Sequence, residues 1–251
     1  AVRRKNLIPP FEDGHDVATG LTYDSGNYEA ALDLALEHAG YDDLRKEQET
    51  LRAQGRYIGI GVSSYAEMCG LGPSQVAGAV GFQGGLWESA TIRFYPTGKV
   101  NIYTGASPHG QGEETTFAQI VSDGLGVDVD DVELIHGDTD NTPMGWGTYG
   151  SRTTAVAGAA VALSVRKIAE KAKVLAAHLL EAAVEDIDYE DGDFFVKGSR
   201  DQSKSIQDIA LMANVAWDMP EGMEPGLEAT VFYDPPNFTY PFGVHVAVVE
   251  V

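Results

Sequence analysis

An α+β fold, with mixed sheets and helices packed against them, is predicted by three features of the sequence. Short runs of alternating apolar residues, the mark of half-buried strands, recur along the chain. Other stretches repeat apolar residues every three or four positions, the longest over 153–183. The two kinds of segment interleave irregularly, with neither a βαβα rhythm nor a repeat of fixed period.

Residues 27–39 predict a helix, because Tyr28, Ala31, Leu32, Ala35 and Leu36 share one face and Gly40 stands where a C-terminal cap belongs. A more charged helix follows over 42–54. Tyr57, Gly59 and Gly61 then alternate with Ile58, Ile60 and Val62 in a strand over 56–68. The stretch 70–85, rich in Gly, Ser and Gln, reads as a boundary between portions 1–85 and 86–251. Strands at 87–95 and 99–104 flank Pro96-Thr97-Gly98, which has hairpin chemistry. A helix over 113–125 and a strand over 132–136 lead to the long helix, whose Val165, Ile168, Ala172, Leu175 and Leu179 form a core stripe. Strands at 194–196, 228–233 and 243–251 and a short helix at 205–215 complete the pattern. The chain opens on Ala1-Val2-Arg3-Arg4-Lys5 and its last residues alternate as a strand, so excision from a longer polypeptide is expected.

Composition narrows the function. There are 38 Asp and Glu against 17 Lys and Arg, a formal charge of -21. Nucleic acid and anionic membrane surfaces, which need positive contact faces, are therefore not expected partners. No apolar run reaches the roughly 18 residues of a membrane span, and no signal peptide is evident, so a cytoplasmic location is expected. The single Cys69 leaves too few thiolates for an iron-sulfur cluster or a cysteine zinc site, and it reads as a small buried hydrophobe.

Two loops carry candidate chemistry. In Thr104-Gly105-Ala106-Ser107-Pro108-His109-Gly110-Gln111-Gly112-Glu113 a strand passes through glycines into a helix. Glycine permits close backbone approach, the free N–H groups of a helix start suit an anion, and Gln111 offers a donor and an acceptor to a heterocycle. In Gly147-Thr148-Tyr149-Gly150-Ser151-Arg152-Thr153 small residues again precede a helix, beside an arginine able to grip an anion through two parallel bonds. Each loop alone is equally explained by packing or capping; together they suggest a bipartite cradle. His109 and His136 lack ligand-spaced partners and read as structural, Asp138 and Asp140 as a turn. Glu67 and Glu88 have no identifiable acid-base partner.

These segments carry a resemblance. Trp87-Glu88-Ser89-Ala90-Thr91-Ile92-Arg93, Pro96-Thr97-Gly98-Lys99-Val100, Ser107-Pro108-His109-Gly110-Gln111-Gly112, His136-Gly137-Asp138-Thr139-Asp140 and Gly147-Thr148-Tyr149-Gly150-Ser151-Arg152 occur in this order. The chain resembles the molybdenum-cofactor-binding large subunit of the xanthine dehydrogenase, aldehyde oxidase and carbon monoxide dehydrogenase family, nearest the last branch. Arg3-Arg4-Lys5-Asn6-Leu7-Ile8 resembles the segment after that family's upstream active-site loop. One departure is Glu113, where histidine commonly follows the glycine-glutamine-glycine; an anionic side chain there puts close phosphate contact at that position in doubt.

The resemblance implies part of a two-lobed molybdopterin-binding domain, with 1–85 ending the first subdomain and 86–251 starting the second. It implies a molybdenum-molybdopterin cytosine dinucleotide cofactor, contacted by Gly110, Gln111, Gly112, Gly150, Ser151 and Arg152, with no catalytic residue or metal ligand in this segment. It further implies oxidative hydroxylation of a small substrate such as carbon monoxide or an aldehyde. Iron-sulfur clusters and FAD would lie on other domains or subunits, namely an iron-sulfur subunit and a flavoprotein subunit, and the remainder of the large subunit would supply the general base. An oligomer is expected, and the isolated segment should be inactive. The competing readings are a non-redox nucleotide or phosphometabolite module and a noncatalytic assembly domain.

A dispersed acidic surface suits a high-salt interior, where like-charge repulsion is screened within about 8–10 Å at physiological ionic strength and less above it. A halophilic source is accordingly expected, with an unfolding temperature that rises through a molar-range salt titration. Full stability in dilute buffer would contradict it.

Overall fold

The structure, a computed structural model, describes residues 2–251. In chain order its first elements are α1 (Val2–Asn6), β1 (His15–Asp16), β2 (Thr22–Tyr23), α2 (Tyr28–His38), α3 (Tyr41–Ala53), β3 (Ile58–Ala66) and α4 (Ser74–Ala79). There follow β4 (Glu88–Phe94), β5 (Val100–Thr104), α5 (Glu113–Leu125), β6 (Val132–Ile135), a π-helical turn (Thr153–Gly158) and α6 (Ala159–Leu179). The last are β7 (Ile187–Glu190), β8 (Asp193–Val196), β9 (Ser199–Ser205), α7 (Ile206–Val215), β10 (Leu227–Tyr233) and β11 (Phe242–Glu250). The α+β class expected from the sequence is the class observed. Among the described residues no helix is long and apolar enough to cross a membrane.

The chain forms two compact units, Ala1–Cys69 with Asn237–Val251, and Gly70–Pro236. Residue 85, where composition suggested a boundary, lies inside the second of these units. The small residues of 70–85 serve packing instead of a link: the Leu71 carbonyl accepts from Arg152 Nε at 2.7 Å, Ser74 N–H donates to Asp234, and Ser74 Oγ accepts from Leu86 N–H.

In the first unit β3 and β11 form one antiparallel ribbon, registered from Phe242 opposite Ala66 to Glu250 opposite Ile58. Helix α2 packs on β11, with the Tyr28 ring edge-on to Phe242 at 5.0 Å. Asn27 caps α2 by accepting from Ala30 N–H at 3.3 Å.

The second unit holds the main core. Its four-stranded sheet has the order β10-β4-β5-β6, antiparallel except that β5 and β6 run parallel through the α5 crossover. Ala90, Ile92, Phe94, Val100 and Ile102 alternate onto one face, against Phe117, Val121 and Leu125 of α5 and Val161, Val165, Ile168, Ala172 and Leu175 of α6. The opposite face is polar, with Arg93 paired to Glu228 at 2.6 Å and Thr91 bonded to Thr230. A small β7-β8-β9 sheet adjoins α6 and α7.

The long helix is shorter than its periodicity predicts. Its first turn is π-helical, and it ends at Leu179 because Glu181 takes a left-handed φ of +51° while Ala182 N–H closes onto the Ala177 carbonyl. A glycine usually fills that left-handed position, so the stop carried no sequence signal. Strands β7 and β9 were likewise unforeseen: β9 is entirely polar and is held by its backbone pairing to β8.

Gly126 ends α5 at φ +66°, and a Cβ there would overlap the backbone of Asp191 and Gly192. Gly126→Ala is expected to destabilise the fold by more than about 4 kcal/mol, whereas Gly55→Ala, at φ +78° with open space around it, should cost only about 1–2 kcal/mol. Urea unfolding of both variants checks this; equal losses would contradict it.

Candidate functional site

The first glycine loop leaves β5 at Thr104, whose hydroxyl donates to the Ser89 carbonyl and accepts from Ala106 N–H. Gly110 and Gly112 take φ of +85° and +81° on the exposed side, and nothing lies within 4 Å of where a Cβ would stand. Their conformation is left-handed and their backbone is open to approach. The Gln111 side chain, by contrast, is turned into the loop. Its Oε1 accepts from His109 N–H at 2.6 Å, and its Nε2 donates to the Ser107 carbonyl and to Glu113. Both amide hydrogens are engaged, so Gln111 staples the loop and is not a free donor for a heterocycle.

The second loop is joined to the first through Thr148. Its hydroxyl donates to Glu113 Oε1 at 3.0 Å and accepts from Ser107 N–H and Thr153 Oγ1, while its carbonyl meets His109 Nε2 at 2.9 Å. Gly105 also abuts Gly145 so closely that a Cβ at Gly105 would overlap the Gly145 backbone. The two loops thus meet, although about forty residues separate them. Gly150 and Ser151 follow at left-handed φ of +57° and +50°, Gly150 against Leu71, and both are exposed.

Arg152 does not reach outward as its sequence context suggested. It is 0% exposed, and its five N–H groups are all engaged inside the protein. Nε donates to Leu71, Nη1 to Glu88 at 2.5 Å and to Gly147, and Nη2 to Leu86 and Trp87. Glu88, also 0% exposed, accepts from Trp146 N–H through the same Oε1. A Cβ at Gly145 would overlap Glu88 Oε2, so the carboxylate beneath dictates glycine above it. Glu88, Thr148 and Leu71 are site-forming residues that sequence reasoning passed over; only the Glu88 charge inside an apolar strand hinted at a buried partner.

Glu113, the departure noted above, is 3% exposed and faces inward to Gln111, Thr148 and His136 Nδ1, the last at 2.8 Å. Its charge is therefore not presented to a ligand at the loop surface. His136 Nε2 meets Glu114 at 3.1 Å, and a hydrogen bond from its own backbone, with His136 adding, holds the Glu114 carboxyl below its ordinary range. Asp138 closes a turn by accepting from Asp140 N–H, Asn141 Nδ2 and Thr142, and the Asn141 amide lowers its pKa. Gly105, Ala106 and Ser107 line one side of a depression of about 390 Å³, with Gly137, Asp138 and Thr139 and then Thr142 to Gly145 completing it.

Removing a single partner from a buried ion pair leaves an uncompensated charge, which costs about 3–5 kcal/mol. Arg152→Ala is expected to destabilise the second unit by that amount in urea unfolding. A loss under about 1 kcal/mol would contradict the hub role.

Comparison with known proteins places this geometry in a family. Residues 34–251 match the molybdopterin cofactor-binding domain. The chain is 43% identical over its full length to the carbon monoxide dehydrogenase large chain of Hydrogenophaga pseudoflava, covering 31% of that protein. The structure aligns over its whole length with carbon monoxide dehydrogenase from Oligotropha carboxidovorans (TM-score 0.91, 41% identity, 31% of that chain). It aligns equally fully with quinoline 2-oxidoreductase from Pseudomonas putida 86 (TM-score 0.88, 36% identity, 32% of that chain). The chain thus spans about a third of the proteins it matches, and it belongs to the family of molybdopterin cofactor-binding domains.

Proposed function

We propose that the three meeting loops form part of the cofactor cradle of a molybdenum hydroxylase large subunit, and that the ligand is the cytosine dinucleotide form of molybdopterin. The observation that carries this is the meeting of the two glycine loops, joined by the Thr148 hydroxyl to Ser107 and Glu113 and by the Thr148 carbonyl to His109, in a chain matching the cofactor-binding family over 34–251. The donor set fits such a group: open backbone at Gly110 and Gly112, exposed left-handed backbone at Gly150 and Ser151, and the hydroxyls of Ser107 and Thr139 suit phosphate and heterocycle edges. Gly110, Gln111, Gly112, Gly150 and Ser151 act through the main chain, and Arg152 acts from below by fixing its course.

When bound, the molybdenum centre supplies the redox chemistry of oxidative hydroxylation, with oxygen taken from water. This chain's residues bind and orient the cofactor and shield its polar parts, the usual division of labour in cofactor enzymes. The remaining two thirds of the subunit supplies the substrate loop and general base, and iron-sulfur and flavoprotein subunits carry the electrons onward. The substrate is a small molecule of the carbon monoxide or aldehyde kind. The assembly is an oligomer in the cytoplasm. Residues 1–85 correspond to the end of the first molybdopterin-binding subdomain and 86–251 to the start of the second. A nucleotide module without redox chemistry and an assembly remnant gain no support from the family match.

Gly110→Val and Gly112→Val in the full-length subunit are expected to lower molybdenum and pterin per subunit by at least about tenfold, since a branched Cβ blocks backbone approach. Gly55→Val, at a similar φ in the other unit, should keep the full complement. Full molybdenum content in the Gly110 and Gly112 variants would overturn the assignment.

A further inference from the structure

We propose that Glu113 is a positioning residue: its buried carboxylate is the common acceptor that holds three loops of the cradle in one arrangement. The inference rests on the cofactor-binding reading above and adds to it a residue that contacts no ligand. Glu113 is 3% exposed, so it acts through its neighbours.

The hydrogen-bond inventory leaves little choice of arrangement. Thr148 has one hydroxyl proton, which goes to Glu113 Oε1, because its oxygen already accepts from Ser107 N–H and Thr153 Oγ1. Gln111 Nε2 has two hydrogens, one on the Ser107 carbonyl and one on Glu113 Oε1. His136 presents Nδ1 to Glu113 Oε2 and Nε2 to Glu114 Oε1, so the ring is held between two carboxyl groups. One carboxylate thereby ties together the loop 107–112, the start of the turn that follows β6, and Thr148 of the second glycine loop. His109, whose Nε2 meets the Thr148 carbonyl, adds a second link between the first and last of these.

None of these partners lies in the apolar core, which is built from Phe117, Val121 and the α6 stripe below. Losing the Glu113 carboxylate frees three donors at the loop level and leaves that core in place. The loops would then sample several arrangements, and a ligand held by all of them would leave faster. A glutamine at this position keeps the network. Its Oε1 still accepts from Thr148 and Gln111, and its amide nitrogen stands where Oε2 faced His136 Nδ1, with His136 Nε2 still on Glu114.

The test follows molybdenum and pterin release from desalted full-length holoenzyme, beside the unfolding midpoint of the cofactor-free subunit. Glu113→Ala is expected to speed release on the order of tenfold, in the range seen when a group supporting a bound centre is removed. Glu113→Gln should stay within about twofold of the parent. Thr148→Val should speed release, and in combination with Glu113→Ala it should add little, since both break one network. Release as slow as the parent in Glu113→Ala, independent multiplying effects in the double variant, or a Glu113→Gln loss as severe as Glu113→Ala would each overturn the proposal. If Glu113→Ala fails to fold, Thr148→Val decides, and parent-like release there overturns it. A parent subunit that holds no molybdenum or pterin would refute the cofactor reading itself, a different result from parent and variant holding it alike.

Discussion

A fully buried guanidinium must find five acceptors inside the protein, and around Arg152 those acceptors come from segments scattered over about eighty residues of sequence. The carbonyls of Leu71, Leu86, Trp87 and Gly147 and the carboxylate of Glu88 converge on it. Each main-chain acceptor fixes the course of its segment, so the strand entry at Leu86 and Trp87, the stretch before α4 and the second glycine loop are located by one side chain. Glu88 neutralises the charge, and its other oxygen lies against Gly145, where a Cβ would overlap it. Polar groups at 0% exposure are costly unless paired, which makes this arrangement intolerant of partial loss.

Above this hub lies a layer of neutral and charge-assisted hydrogen bonds through Thr148, Gln111, Glu113 and His136. It turns side-chain polarity inward and leaves backbone at Gly110 and Gly112 facing out. That division makes physical sense in a chain of net charge -21, where an anionic ligand cannot rely on the general field of the protein. Main-chain amides in left-handed turns give local positive potential without adding a cation. The two acids at the start of α5 are drawn aside, Glu113 into the network and Glu114 onto His136.

Much of this was legible in the sequence, for reasons that differ by element. Helix α5 was bounded correctly because an apolar stripe ran between glycines with defined capping geometry, and the hairpin of β4 and β5 because Pro96-Thr97-Gly98 permits one tight turn. The core stripe of α6 followed from its spacing. Strand β9 was invisible because its side chains are polar and its pairing is entirely a backbone matter. The packing of 70–85 was not legible because glycine and serine mark both linkers and tight packing, and the contacts of Leu71 and Ser74 appear only in the fold. At the site, the proximity of the two glycine loops was anticipated. The inward turn of Arg152 and Gln111 was not, because a residue type states what it can bond and not which way it faces.

The central claim is that the loops joined by Thr148 and seated on Arg152 grip one cofactor. Amide hydrogen exchange of the full-length subunit, compared with and without its cofactor, tests it most directly. The account predicts that amides of residues 107–112 and 147–152 both slow markedly in the loaded form, together and by similar factors. Exchange that is unchanged in both loops, or slowed in one alone, would contradict it.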